Sequence, residues 1–508
     1  MTENRLLQRV LVSVFTVAVL TVLVGCQGLV NGPTGSTPTP PTGDSLKTSV
    51  NHIVVLVQEN RSFDHYFGAM RQYWLDYGYS DQALAGLPQF PTSAPSGPAP
   101  TNPGCDPASP FPASDCMVNA QSPSMESYHL ITQCVENPSP SWNESHVDLN
   151  LFAPATDSSS DPTSFLKGFV YTAAHDARTI IPPYHDVIGK RAMGYYDGND
   201  LNYYYFMASN FATSDSWFSP VMSRTPPNRM YLLAGTSQGH AYPLTSTSTL
   251  LTAPIIFQRL QEAGVSWKIY VRPGANGCTT ATCLYQLSYI QNFTYGQTIL
   301  NQFPQNIQPD SQFVTDAENG TLPQVAFIEP PSEVGLDEHP SDFDSGTPCC
   351  SVQAGAKYAS SLVAAVMKGS WKDTIFILTF DEFGGFYDHV PPMKTVSPDG
   401  IPPSDLLTDD VCTVETGPTC DFVYTGYRVP LIVISPFTRK HFVSHTPADY
   451  TAILKLIETR FGLSALTNRD AAQMTMEEFF DFKNPSWVTP PSPPAQNMGG
   501  PCYLDRLP

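Results

Sequence analysis

"HIVVLVQENRSFDHYFG" (residues 52–68) runs five aliphatic residues together, Ile53 to Val57, and then places Glu59, Asn60, Arg61, Asp64 and His65 within seven positions. A short run with no polar alternation reads as a strand buried on both faces, not one with a solvent side. Such strands ordinarily end in a turn of Gly, Asn or Ser. This one ends in a carboxylate, a carboxamide, a guanidinium and an imidazole, which points to chemistry at the carboxyl end of the strand.

Further runs of the same kind are "VSWKIYV" (265–271), "QVAFIEP" (324–330), "TIFILTFDE" (374–382) and "VPLIVISP" (429–436). Between several of them lie "APIIFQRLQEAG" (253–264), "AGAKYASSLVAAVMKG" (354–369) and "YTAILKLIETRFG" (450–462), whose apolar residues recur every three or four positions as an amphipathic helix requires. Buried strands alternating with amphipathic helices predict an α/β fold with a mostly parallel central sheet flanked by helices. In such a sheet, ligands bind beyond the carboxyl ends of the strands. Glu59-Asn60, Glu329 and Asp381-Glu382 all follow strand runs, so acidic groups far apart in sequence are expected along one edge.

Composition narrows the function classes. The chain has 508 residues, 26 basic and 46 acidic side chains and a net charge of −20, with no Lys/Arg run able to neutralise a phosphate backbone, so nucleic acid is excluded as a partner. Only 14% of residues are charged, against about 25% in average usage, and there are 49 prolines, which predicts long stiffened surface loops. Arg5 and Arg9 precede an apolar stretch from Val10 to Val24 of signal-peptide length, ending in "LVGC". That tetrapeptide resembles the lipobox of bacterial lipoproteins, making Cys26 the lipidated first residue and the link to a membrane; an ordinary secretory signal is the alternative. The expected organisation is a signal peptide over 1–25, a Thr/Pro-rich tether over 26–48, one catalytic domain over 49–485 and a Pro-rich tail over 486–508. Irregular insertions are expected near 88–119 and 395–425. Ten cysteines remain beyond Cys26, and local spacing predicts disulfides Cys105–Cys116, Cys278–Cys283 and Cys412–Cys420; Cys134, Cys349, Cys350 and Cys502 receive no assignment. No feature of the chain specifies an oligomeric state.

Five segments carry a family resemblance in order: "HIVVLVQENRSFDHYFG", "MGYYDGNDLNYYYFMASNFATSDSWFSPVMSRTPPNRMYLLAGTS" (193–237), "DEHP" (337–340), "TFDEFGGFYDHVPP" (379–392) and "ETRFGLSALTNRDA" (458–471). Together they resemble the bacterial phosphoesterase family of phosphatidylcholine-type phospholipases C and metal-dependent acid phosphatases, over about Asn51 to Phe482. The resemblance implies an alkaline-phosphatase-like α/β sandwich. It further implies that Glu59, Asn60, Asp381 and Glu382 bind one or more divalent metals (Mg²⁺, Mn²⁺ or Ca²⁺, or zinc or iron if histidines join), with Thr225 as nucleophile and further ligand. His339, His389 and His146 are the candidates for proton transfer.

The chemistry of those residue types agrees. A hydroxyl is a poor nucleophile near neutral pH, and a divalent cation both lowers its pKa and neutralises phosphoryl oxygens. Asp64 and His65 are expected to orient the loop, Arg61 to pair with a carboxylate, Gly384-Gly385 to allow a tight turn and Asn228-Arg229 to fix the nucleophile turn. Two departures bear on substrate: Pro140 stands where many phospholipase-like members have histidine, and the residues after Phe482 are too few for the C-terminal β domains of larger haemolytic members. The expected activity is thus an exported, acid-phosphatase-like phosphoesterase acting through a phosphothreonine. A phospholipase C acting on phospholipid headgroups, and a non-catalytic surface-binding lipoprotein on the same scaffold, are the alternatives.

Overall fold

The structure is a computed structural model that describes residues 43–90, 96–106, 116–159, 161–275, 277–341 and 350–507. The expected signal peptide, Cys26, most of the tether and Cys349 lie outside the described residues.

Eight strands form the main sheet: β1 (His52–Gln58), β2 (Ala212–Ser214), β3 (Trp267–Val271), β4 (Ile307–Pro309), β5 (Val325–Ile328), β6 (Thr374–Phe380), β7 (Leu431–Ile434) and β8 (Phe442–Ser444), in the spatial order β8-β2-β7-β6-β1-β5-β3-β4. Every pairing is parallel except those of β7, which runs antiparallel to both β6 and β2. All of β6 and all of β1 beyond His52 are buried, so both faces of the sheet are covered, as the unbroken apolar runs predicted. The strands missed from sequence, β2, β4 and β8, have three residues each, too few for any hydrophobic period to emerge.

The helices that matter to the site and its surroundings are α1 (Phe63–Phe67), α2 (Met70–Tyr77), α3 (Trp142–Leu149), α4 (Asn202–Asn210), α5 (Thr225–Ala234), α6 (Ile256–Glu262), α7 (Asp310–Glu318), α8 (Val352–Gly369) and α9 (Ala452–Phe461). In α8, Val352, Ala356, Ala359, Leu362, Val363 and Val366 are buried, which is the three- and four-residue spacing read from the sequence. Among the described residues no helix is long and apolar enough to cross a membrane.

Outside these elements the chain is irregular but tied down. Residues 395–425 form no helix or strand and are closed by the predicted Cys412–Cys420 disulfide. Cys105–Cys116 and Cys278–Cys283 are also bonded as predicted. The Pro-rich C-terminal segment is extended yet docked: Cys502 is bonded to Cys134, Gln496 Nε2 donates to the Asp200 carbonyl at 2.7 Å, and Thr132 Oγ1 donates to the Tyr503 carbonyl at 2.9 Å.

The Cys134–Cys502 bridge closes a loop of 368 residues in sequence. Replacing both by serine is expected to cost about 2–4 kcal/mol of stability and to expose the C-terminal segment to protease. Thermal unfolding and limited proteolysis check this, and an unchanged midpoint with an uncut tail would contradict it.

Candidate active site

The site follows from strand register. In the parallel pair β1 and β6, Gln58 lies opposite Phe380, so the next residues of each strand, Glu59-Asn60 and Asp381-Glu382, emerge side by side at one edge. Hydrogen bonds then knit the two ends together. Asn60 N donates to Asp381 Oδ1 at 2.8 Å, Asp381 N donates to the Gln58 carbonyl at 3.0 Å, and Arg61 N donates to the Glu382 carbonyl at 2.9 Å. Asn60 adopts φ 58°, a left-handed conformation that Asn tolerates better than most residues and that is commonly held at functional loops. Gly384 has φ +70°, and a Cβ there would lie 2.3 Å from the Asn60 carbonyl oxygen, so only glycine lets the second strand end pass this close to the first.

Thr225 is the first residue of α5, and Pro226 and Pro227 follow it, a placement that pre-sets helical φ where amide donors would be unpaired in any case. Its Oγ1 lies 3.1 Å from Glu59 Oε2 and 3.1 Å from Asn60 Oδ1. The positive end of the α5 dipole favours an anion at this point. Asn228 fixes the turn, as expected, by accepting from Val221 N at 3.1 Å and donating to the Ser223 carbonyl at 2.7 Å. Arg229 reaches beyond that turn: its Nη2 donates to Glu59 Oε1 at 2.7 Å and to the Val57 carbonyl at 2.9 Å, and its Nε lies 3.7 Å from Asp381 Oδ2.

Electrostatically the cluster is unbalanced. Glu59, Asp381 and Glu382 are buried; Arg229 faces Glu59 and Asp381, and Arg224 adds a weaker attraction at Glu382. Burial, then the Asp381 charge, hold Glu59 well above the usual carboxylate range despite Arg229. Burial and Asp381 do the same to Glu382. Asp381 Oδ2 and Glu382 Oε1 have no hydrogen-bond partner among protein atoms. Buried carboxylate oxygens of this kind are stabilised by a cation, and Glu59, Asn60, Asp381, Glu382 and the Thr225 hydroxyl form an all-oxygen donor set suited to a hard divalent ion. The Thr225 hydroxyl, Glu59 and Asn60 lie within twice a metal–oxygen distance of one another at Thr225, so these three fit around one ion, with Asp381 and Glu382 at the adjoining strand end.

A cleft of about 420 Å³ opens here, lined among others by Glu59, Arg224, Thr225, Tyr289, Asp337 and His339. His339 therefore joins the predicted site, with Nε2 3.1 Å from Asn60 Nδ2 and Nδ1 2.5 Å from the Pro340 carbonyl. The other two histidines do not line the cleft. His389 Nδ1 is bonded to Asp64 Oδ2 at 2.6 Å, and Arg428 bridges Asp64 and Asp388 at 3.1 and 2.9 Å. Burial lowers the His389 pKa, but the Asp64 charge and hydrogen bond outweigh it and the ring is held above its usual value. His146 is a correction: it is fully buried in α3, its ring nitrogens face the Trp142 and Thr419 carbonyls at 2.7 and 3.1 Å, and burial lowers its pKa. Arg61 is another, since it binds no carboxylate and instead donates from Nε to the Glu338 carbonyl at 2.8 Å. Glu329 is buried behind the cleft wall, accepting from Ser288 Oγ at 2.5 Å and from Tyr289 N at 3.1 Å.

Sequence reasoning missed Arg224, Tyr289 and Asp337. Asp337 and Glu338 had a signal, their place in "DEHP" beside His339, whereas Tyr289 opens a single 3-10 turn, Tyr289–Asn292, too short to carry a hydrophobic period.

The phosphoesterase family model matches residues 50–464. The chain belongs to the phosphoesterase family. It is a phosphoric ester hydrolase, and its relatives agree. It is 29% identical over 490 residues to phospholipase C B of Mycobacterium tuberculosis, covering 91% of this chain and 82% of the relative. It is 27% identical over 477 residues to non-specific phospholipase C4 of Arabidopsis thaliana, covering 87% and 74%. Against the hemolytic phospholipase C of Pseudomonas aeruginosa it is 26% identical over 460 residues, 82% of this chain but only 53% of that protein. Among solved structures, a phosphonate monoester hydrolase from Silicibacter pomeroyi aligns at TM-score 0.31 and 13% identity over 57% of this chain and 73% of that one.

Two outcomes are expected. Gly384→Ala must push against the Asn60 carbonyl and adopt positive φ, so it is expected to cost about 1–3 kcal/mol and most of the activity, read by denaturation and turnover. Glu338 accepts from Tyr66 and Tyr204 hydroxyls at 2.6 and 2.5 Å, yet burial raises it from the usual 4.5 to about 7. Between those pH values the unfolded chain has lost a proton that the folded chain keeps. The stability this carboxyl contributes is therefore full below the lower value and lost as pH rises through the higher one. Glu338→Gln is expected to lessen the fall in urea stability between pH 5 and 8 by up to ~3 kcal/mol; identical pH slopes in the two proteins would contradict it.

Proposed function

We propose that the chain hydrolyses phosphate esters through a covalent phosphothreonine on Thr225, with a divalent cation held by Glu59, Asn60, Asp381 and Glu382. The observation that carries the reading is the Thr225 hydroxyl, in an open cleft, 3.1 Å from both Glu59 and Asn60. The bound cation would supply positive charge to the phosphoryl oxygens and make the hydroxyl more acidic.

In the first step the Thr225 Oγ–P bond forms as the ester P–O bond breaks, and the hydroxyl proton passes to Glu59 Oε2. Arg224, which lines the cleft beside Thr225, attracts the phosphate. The hydrogen bonds place the proton of a neutral His339 ring on Nδ1, toward Pro340, and leave Nε2 as the acceptor from Asn60. The ring must gain a second proton before it can give one to the departing alkoxide. In its neutral form it takes a proton from the water that attacks phosphorus; the Thr225 Oγ–P bond then breaks, Glu59 returns its proton to the Thr225 oxygen, and the imidazolium left on His339 is the acid for the next turnover. His389 is proposed to act through Asp64, which it and Arg428 orient, rather than by touching substrate.

The phospholipase C relatives favour a second reading of substrate, a phosphodiester in a phospholipid. Four disulfides among the described residues support an oxidising, extracytoplasmic location, and "LVGC" supports anchoring through Cys26. A non-catalytic role is disfavoured because nucleophile, carboxylates and cleft come together in one place.

Thr225→Ala is expected to lower turnover of p-nitrophenyl phosphate by at least about 10³-fold while metal stays bound, and Thr225→Ser to keep much of it. Acid quenching with substrate should trap phosphate on the peptide containing "SRTPPNR", and near-normal turnover by Thr225→Ala would overturn the covalent route. Comparing p-nitrophenyl phosphate, p-nitrophenyl phosphorylcholine and phosphatidylcholine decides between monoester and phospholipid.

A further inference from the structure

We propose that a second cavity, on the α2 side of the molecule, is a binding site for an organic ammonium ion, with a quaternary ammonium group as the preferred ligand. The cavity has a volume of about 360 Å³ and shares no residue with the Thr225 cleft. Four aromatic rings line it, Tyr73, Tyr77, Phe90 and Tyr195, together with two carboxylates, Asp76 and Asp197, and no lysine or arginine.

Each wall is built. Tyr73 and Tyr77, one turn apart on α2, stack with centroids 4.3 Å apart and planes at 29°. Phe90, from an irregular segment, and Tyr195, from the two-residue strand Gly194–Tyr195, meet edge to face with centroids 5.3 Å apart. The turn carrying Asp197 closes against the first wall: a Cβ on Gly198 would lie 2.5 Å from Tyr73 Cδ2, so glycine is what allows the contact. Asp197 is set by Asn199 N, which donates to Oδ1 at 2.7 Å, and Asp76 by Gln72 Nε2 at 2.9 Å. His129 also approaches Asp197, at 3.8 Å, but its nearer partner is Asp200 at 2.7 Å.

The chemistry of this lining selects its ligand. Aromatic rings carry a negative quadrupole that attracts cations, and the carboxylates add net negative charge. An anion is repelled, and a neutral apolar ligand gains nothing from the two carboxylates. Asp197 gathers with His129 and Asp200 closely enough to hold a metal ion, but His129 and Asp200 do not line the cavity, whose own wall is dominated by rings. A quaternary ammonium ion is weakly hydrated, apolar on its surface and positive, so it gains from both the rings and the acids. That group occurs on small free solutes and on phospholipid headgroups alike.

Calorimetric titration of the full chain with choline and with tetramethylammonium tests the site, with 3,3-dimethyl-1-butanol as the uncharged counterpart of choline. Tyr77 is 64% exposed, so Tyr77→Ala leaves the fold intact. Saturable choline binding is expected, weakened about ten-fold by Tyr77→Ala and by Asp197→Asn and by loss of the ligand charge, with p-nitrophenyl phosphate turnover unchanged in both variants. Sedimentation with phosphatidylcholine vesicles but not phosphatidylglycerol vesicles, lost in Tyr77→Ala, assigns the headgroup as the source; choline binding without vesicle binding assigns a free solute. The proposal is overturned by absence of saturable choline binding, by equal binding of the uncharged alcohol, or by choline binding that survives Tyr77→Ala and is displaced by inorganic phosphate, which would put it in the Thr225 cleft.

Discussion

The parallel pairing of β1 with β6 is the constraint on which the site depends. With Gln58 opposite Phe380, Glu59-Asn60 and Asp381-Glu382, separated by more than three hundred residues, leave the sheet next to each other. Concentrating Glu59, Asp381 and Glu382 in a buried corner is costly in itself, since each carboxylate is desolvated and repelled by the others. Much of the surrounding structure offsets that cost. Arg229 supplies one positive charge, backbone amides of Asn60 and Gly384 supply hydrogen bonds at 2.8 and 2.6 Å, and the residual negative charge is what the proposed cation would offset.

The irregular parts of the molecule are organised by a second device. Arg61, Arg191, Arg229, Arg428 and Arg469 are all fully buried, and each donates to main-chain carbonyls as well as, in most cases, to a carboxylate. Arg469 alone ties Val396, Pro220 and Phe422, three segments distant in sequence, through their carbonyls at 2.7, 3.2 and 2.7 Å. A guanidinium presents five donors in a rigid fork, so one side chain can satisfy several loop carbonyls that lack a strand partner. This is how a chain rich in proline and poor in regular structure between strands keeps long loops packed around a cleft. The Cys412–Cys420 disulfide staples one of the same irregular segments.

The two cavities differ in kind. The cleft at Thr225 combines carboxylates with Arg224 and the amino end of a helix, a lining of mixed charge. The α2 cavity has acids and rings without any base. If both proposals hold, a phosphate ester bearing an organic cation meets complementary chemistry at two separate places on one molecule.

Local sequence was enough for the fold class and for the acidic strand ends. Runs such as Ile53 to Val57 and Ile375 to Phe380 are long and unbroken enough that only a doubly covered strand accommodates them, and whatever follows such a strand must lie at an edge of the sheet. The motif resemblance was enough to single out Thr225 and His339. What the sequence did not contain was distance. His389 sits in a family segment as His339 does, and His146 was a weaker candidate outside those segments, yet α3 buries His146 against Trp142 and Thr419, and Asp64 and Arg428 hold His389 outside the cleft lining. Arg229 looked like a turn residue until the fold brought β1 and β6 within its reach, and Tyr289 arrived from an unpatterned segment. Burial and periodicity are properties of a few consecutive residues and are written locally, whereas which side chains share a cleft is decided by the register of strands and the paths of loops, which only the tertiary structure specifies.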